Sequence, residues 1–392
     1  MNLQLLLLTL CQGFFLTNNV TFIAINGLVG LSLAPSAWMA TLPITGYVAG
    51  GALCAGMVGR HQRRWGRKRA FQAGLLVAMA SSALCAYAAS THNFWLLVAA
   101  TVVAGYYNAN AALYRFAATE LVAPSMKEKA ISWVLAGGIF GAVVGPNLAS
   151  FTRDVLPVAF AGAYAALVIV AMLSLLTLSF IHFPPLPQPS ATNPGRPLRE
   201  IARQPVFIIA VAASALGYGV MNLLMAATPI AMARCSHPFK SAALVLEWHV
   251  LGMFVPSFFT GSLIKRFGCL PIMGVGVALN ALCIVVALSG VELMQFLVAL
   301  FVLGVGWNFL YIGGTTLFTQ TYRPEEKTTA QAAMDTVVYT TMTVTSFSSG
   351  ALITTQGWTW LNLGSLVPVA LTGMALAWLA MHQRGGQNRA VL

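Results

Sequence analysis

The chain has 392 residues, 58% of them hydrophobic and 8% charged, with a formal net charge of +12 and a mean hydropathy of +0.79. No water-soluble core needs that much apolar surface, so the bilayer is this chain's solvent and a soluble enzyme is excluded. The basic surplus is accounted for by membrane orientation, as shown below, and requires no nucleic-acid partner.

Apolar runs long enough to cross about 30 Å of hydrocarbon recur along the chain. The first six are read at 3–28, 38–57, 70–90, 94–117, 129–151 and 157–182. The first lacks a charged leader and runs on to full span length, so it is predicted to stay as an uncleaved helix rather than act as a signal peptide. Residues 183–204 follow, with Pro184, Pro185, Pro187, Pro189, Pro194 and Pro197, and read as an extended linker. Six more spans are read at 205–232, 241–264, 270–289, 291–319, 329–355 and 359–381. The expected fold is therefore all-α and integral to the membrane, with twelve transmembrane helices. Its organisation is an N-terminal six-helix bundle over 1–182, a linker over 183–204 and a C-terminal six-helix bundle over 205–392.

Of 21 lysines and arginines, only Arg153, Arg234 and Lys240 fall on one side of this topology. The positive-inside rule then places both termini and the linker in the cytoplasm of a cell whose inner membrane holds the protein. Five of the six cysteines, Cys11, Cys54, Cys85, Cys269 and Cys283, lie in or beside hydrophobic runs without metal-ligand spacing and Cys235 stands alone in an outer loop, which predicts packing rather than a disulfide frame or a metal site. No nucleotide-binding loop, H-E-x-x-H or G-x-S-x-G pattern is present, so no cofactor and no catalytic site are expected.

The two halves repeat each other. Gly59-Arg60-His61-Gln62-Arg63-Arg64-Trp65-Gly66-Arg67-Lys68 follows the second span, and Gly261-Ser262-Leu263-Ile264-Lys265-Arg266-Phe267-Gly268 follows the eighth. Both have the form G-x-x-x-[K/R]-R-x-G. Tyr107-Asn108 ahead of Glu128-Lys129 is echoed by Trp307-Asn308 ahead of Glu326-Lys327. Internal repeats of this kind are how many secondary transporters are built.

On these residues the chain resembles the major facilitator superfamily over nearly its whole length. That family's loop after the second helix is G-x-x-x-D-R-x-G-R-[R/K], and Gly59, Arg64, Gly66, Arg67 and Lys68 fall on it, while Arg63 stands where an acid is usual. Gly141-x-x-x-Gly145-Pro146 looks like the family's antiporter motif, although Gly137, Gly141 and Gly145 also make one smooth face suited to close helix packing. The resemblance implies a gating role for Gly59, Arg63, Arg64, Gly66, Arg67, Gly261, Arg266 and Gly268. It also implies a central cavity lined by helices one, four, seven and ten.

Polar residues on those four helices are the candidate substrate ligands: Asn18 and Asn19; Tyr107, Asn108, Tyr114 and Arg115; Tyr218 and Asn222; Trp307, Asn308 and Tyr311. Ionisable groups inside the spans cost about 2.5–3.5 kcal/mol on insertion scales when they face lipid, which singles out Glu247, His249 and Asp335 for proton coupling or for polar pairing between helices. Asp335 is also the candidate partner of Arg63 or Arg64 in a charge-swapped latch. The resulting expectation is a monomeric permease that moves a small organic solute by alternating access with protons as the coupling ion. A Tyr-, Trp- and Asn-rich cavity with one Arg suits a planar heteroaromatic vitamin or a drug. Two alternatives stay open: an exporter, and a receptor that binds without transporting.

Overall fold

The computed structural model describes residues 2–123, 126–184, 195–323 and 326–390, and every regular element among them is a helix. In chain order the long helices are α1 (Leu3–Leu33), then Leu42–Ser90, which a non-helical Gly66 divides into α2 (42–65) and α3 (67–90). Next come α4 (Phe94–Ala111), α5 (Lys127–Thr152) and α6 (Ala161–Ser179). The second half has α7 (Pro205–Arg234), α8 in two pieces (Phe239–Phe254 and Ser257–Phe267), α9 (Cys269–Leu288), α10 (Leu293–Phe318), α11 (Lys327–Thr355) and α12 (Gly357–Ala390).

Nine helices among the described residues are long and apolar enough to cross a membrane, and the α8 pieces, bent by 41°, make a tenth. The twelve spans read from the sequence differ from this in two places. The 37–90 run counts once although Gly66 breaks it, and α11 is long enough but too rich in Thr and Ser to count as apolar. The linker prolines Pro185, Pro187, Pro189 and Pro194 lie outside the described residues.

Small residues set how closely the helices approach. A side chain at Gly137 or Gly141 of α5 would collide with the Thr9 carbonyl or Leu16 of α1, so these glycines are used by packing. All six cysteines are free, with Cys11, Cys85 and Cys283 buried among apolar neighbours. One core cluster gathers Leu8, Phe15, Phe71, Tyr107 and Tyr114 from the first half. Another gathers Phe207, Met273, Leu310, Phe318 and Leu376 from the second. The largest takes residues from both.

The halves join at the end of the bundle opposite the arginine-rich loops. There Thr41 donates to the Ser346 carbonyl at 2.6 Å and accepts from the Gly350 N–H at 3.0 Å. The Phe160 and Phe239 rings meet edge-on at 4.9 Å, and Asn147 of α5 donates to Glu247 of α8 at 2.8 Å. Hydrogen bonds of the arginine-rich loops stay within one half among the described residues. Arg67 pairs with Glu120 at 2.7 Å, and Lys68 donates to the Ser179 carbonyl at the end of α6. On the second half, Arg196 pairs with Glu326 at 2.8 Å. Among the described residues, no hydrogen bond or ion pair crosses the gap between the halves at the arginine-rich end.

Candidate functional site

Inside that gap α10 contributes an aromatic ladder, because residues four apart share a helix face. Trp307 and Tyr311 stack with ring centroids 5.1 Å apart and planes 11° from parallel. Tyr218 of α7 stands edge-on to both, at 5.2 and 5.3 Å, and Phe254 closes the group 6.4 Å from Trp307. The indole N–H of Trp307 is buried and has no hydrogen-bond partner among the described residues. Buried polar hydrogens are nearly always bonded, so this one is available to a ligand.

Arg115 faces this box from the first half, in the short helix Tyr114–Ala117 that continues α4. Its guanidinium lies 4.8 Å over the Phe116 ring, and its charge acts on Tyr218, Tyr311 and Tyr339 and on Asp335. Asp335 is exposed to the gap and makes no ion pair within 4 Å among the described residues. The site so assembled pairs flat aromatic surface with one cation and one anion.

The structure thus brings together Arg115, Tyr218, Trp307, Tyr311 and Asp335 of the predicted residues, and it uses several others differently. Asn308 is fully buried and holds the α8 break: it accepts from Thr260 at 2.6 Å and donates to the Met253 carbonyl and to Ser257, each at 2.7 Å. Pro256 interrupts the helix ladder there, which leaves main-chain groups in need of side-chain partners. Asn222 is buried and donates to Ser346 and the Met342 carbonyl of α11 at 2.8 and 3.0 Å. Tyr107 packs edge-on against Phe15 and Tyr114 against Phe71, both within the first half's core. Asn18 is 3% exposed, whereas Asn19, which reaches the Tyr47 hydroxyl at 3.4 Å, and Asn108 are half-buried.

The ionisable residues also separate. His249 is fully buried and donates from Nδ1 to the Leu300 carbonyl at 2.6 Å, so it ties α8 to α10. Glu247 points instead to Asn147 across the halves. Asp335 faces Arg115 rather than Arg63 or Arg64, both of which are exposed and in no ion pair among the described residues.

In the loops of the repeat, Gly66 and Gly268 both have positive φ, and Arg67 bridges the Gln62 side chain to both carboxylate oxygens of Glu120. Arg266 lies exposed over Phe267, while Gly59 and Gly261 adjoin open space. Glu120, Asn147, Phe254 and Tyr339 were not among the residues singled out by sequence. Glu120 carries no signal there because its partner is far along the chain; Tyr339 had one, four residues from Asp335 on the same helix face.

The Major Facilitator Superfamily model matches residues 5–246 and 215–391. The riboflavin transporter RfnT of Brucella anthropi is 38% identical over 362 residues, covering 92% of this chain and 91% of that protein. The uncharacterized MFS-type transporter YddS of Bacillus subtilis is 26% identical, covering 91% of this chain and 86% of that one. Among solved structures, the nucleoside transporter NupG superposes with a TM-score of 0.78 at 12% identity, over 96% of this chain and 99% of that one. The POT family transporter PepTSo superposes with a TM-score of 0.73 at 11% identity, over 98% of each.

Proposed function

The chain belongs to the Major Facilitator Superfamily, and from that premise we propose that it carries riboflavin, or a solute with the same flat tricyclic ring, by alternating access. As a member it is a multi-pass membrane transporter of a small solute and not an enzyme. The observation that carries the substrate reading is the stack of Trp307 on Tyr311 with Tyr218 edge-on to both. An isoalloxazine ring offers a large π-face to such a box and carbonyl acceptors to the Trp307 N–H and to Arg115. The 38% identity to a riboflavin transporter supports the same class.

Protons are the proposed coupling ion, with Glu247 and Asp335 the carboxylates that lie where the halves meet and part. The distribution of lysine and arginine supports a cytoplasmic location for the arginine-rich loops and both termini in the inner membrane. One chain contains both halves, which is the basis for reading the working unit as a monomer. Reconstitution into vesicles tests the proposal. Saturable uptake of radiolabelled riboflavin, raised by an imposed proton gradient, is expected. Binding without accumulated counts would mark a receptor, and an absence of both would remove riboflavin as the substrate.

A further inference from the structure

Among the described residues, Arg115 from the first half and Asp335 from the second both act on Tyr311 of the aromatic box and on each other. Helices α1 and α10 carry no charged residue at all, and the only one on α7, Arg234, is bound to the Ile353 carbonyl at the closed end. Helices α1, α7 and α10 therefore bring no further charge to the box, although the protein as a whole is strongly basic. We infer that Asp335 makes the site selective for the uncharged flavin over its phosphomonoester, by cancelling Arg115 beside the place where the ligand's polar tail must lie. This rests on the flavin reading of the site given above.

The chemistry is a matter of sign. Riboflavin is neutral near pH 7, whereas flavin mononucleotide adds a phosphate of about −1.5 to −2 charge on the same ribityl chain. A lone Arg115 would be a good phosphate ligand, because a guanidinium offers forked donors and stays charged. Asp335 removes that advantage and adds repulsion, and like charges brought together without compensation are strongly disfavoured in a confined site. The exposed Arg60, Arg63 and Arg64 sit at the rim in water, where salt screens charge beyond roughly 8–10 Å, so they attract anions to the mouth without rewarding them inside. Asp335 has no short-range partner to lose, so its replacement by Asn removes the negative charge opposite Arg115 without breaking a hydrogen bond or ion pair among the described residues.

The experiment titrates the purified full-length protein with riboflavin and with flavin mononucleotide, reading the quenching of flavin fluorescence that stacking on Trp and Tyr produces. Wild type is expected to bind the phosphomonoester at least about tenfold more weakly than riboflavin. In Asp335→Asn that ratio should fall to about threefold or less, and in Asp335→Glu it should remain near the wild-type value. A ratio in Asp335→Asn equal to that of wild type overturns the inference, as does a wild type that binds both flavins equally; in either case the flavin site itself stands. Parallel weakening of both ligands in Asp335→Asn, with the ratio kept, assigns Asp335 a structural role instead. Quenching by neither flavin in wild type overturns the flavin reading and the selectivity with it.

Discussion

Gly66 and Gly268, at matching places in the two halves, have the same backbone conformation: φ 79° and ψ 164° at the first, φ 89° and ψ 163° at the second. That region is essentially closed to residues with a Cβ, and occupying it costs of order 1–3 kcal/mol. It lets α2 end and α3 begin with no spacer, and it does the same between α8 and α9.

Alanine at Gly66 or Gly268 should therefore lower the thermal stability of the purified protein by an amount corresponding to about 1–3 kcal/mol. Gly59→Ala is the control, since Gly59 is helical and a Cβ there meets nothing within 4 Å. Its expected effect is neutral or slightly stabilising, because Ala is the better helix former. Equal loss in all three variants would mean that the loop is sensitive to bulk and not to backbone conformation.

The asparagines of the repeat should part company when replaced. Asn308→Leu takes the amide partner from Ser257 and the Met253 carbonyl, while Thr260 keeps its bond to the Pro256 carbonyl, and a broken buried network of this kind costs about 1–3 kcal/mol for each group stranded. Thermal unfolding should register it as lost stability. Asn108 is half-buried and makes no side-chain hydrogen bond among the described residues, so Asn108→Leu should leave the unfolding temperature near wild type and weaken riboflavin binding instead. Reversal of the two phenotypes would place Asn308, and not Asn108, against the substrate.

The same pair shows what the sequence discloses and what it hides. Span lengths, the repeat and the matching glycines of its loops are legible because each depends on local residue type and spacing. Whether a polar residue on a helix points into the gap or into its own half depends on helix rotation and on main-chain breaks elsewhere. Asn308 reads as a ligand by residue type, but the Pro256 break in α8 gives it partners inside its own half, and the Nδ1–H of His249 is likewise used by the Leu300 carbonyl. Trp307 and Tyr311 are readable from their spacing as one face of a helix, but the approach of Tyr218 depends on α7 and α10 lying side by side.

Glu326 predicts a pH dependence on the arginine-rich side. Its carboxylate accepts from the Arg196 side chain, then from the backbone N–H groups of Arg323 and Arg196, and these hold it well below the usual carboxylate range. A depressed folded-state value means that the stabilisation is complete above the unfolded value, about 4.3, and is lost as pH falls through the folded one. Glu326→Gln should thus lower the unfolding temperature by a constant amount between about pH 5 and 8, with the gap to wild type narrowing only in stronger acid. A gap that instead changes across pH 6 to 8 would assign the dependence to another group.

The hydrogen bond from Asn147 to Glu247 leads to the prediction about coupling. It joins α5 to α8 at the end where the halves are closed, so opening that end must break it and release the carboxylate to water. Glu247→Gln keeps an acceptor oxygen for Asn147 but can neither gain nor lose a proton. In vesicles it should retain riboflavin exchange, which needs only binding and rocking, and lose accumulation against a gradient. Asn147→Leu strands the carboxylate at a cost of about 1–3 kcal/mol to the closed end. Spin labels at positions 36 and 355, one on each half at that end, should then report a larger share of long distances. His249→Ala should do neither: its bond to Leu300 lies within one half, and the expected loss is of stability with coupling retained. Uphill accumulation by Glu247→Gln at the wild-type level would exclude Glu247 from proton movement, and equal loss of exchange and accumulation in a folded protein would make it a strut of the closed end.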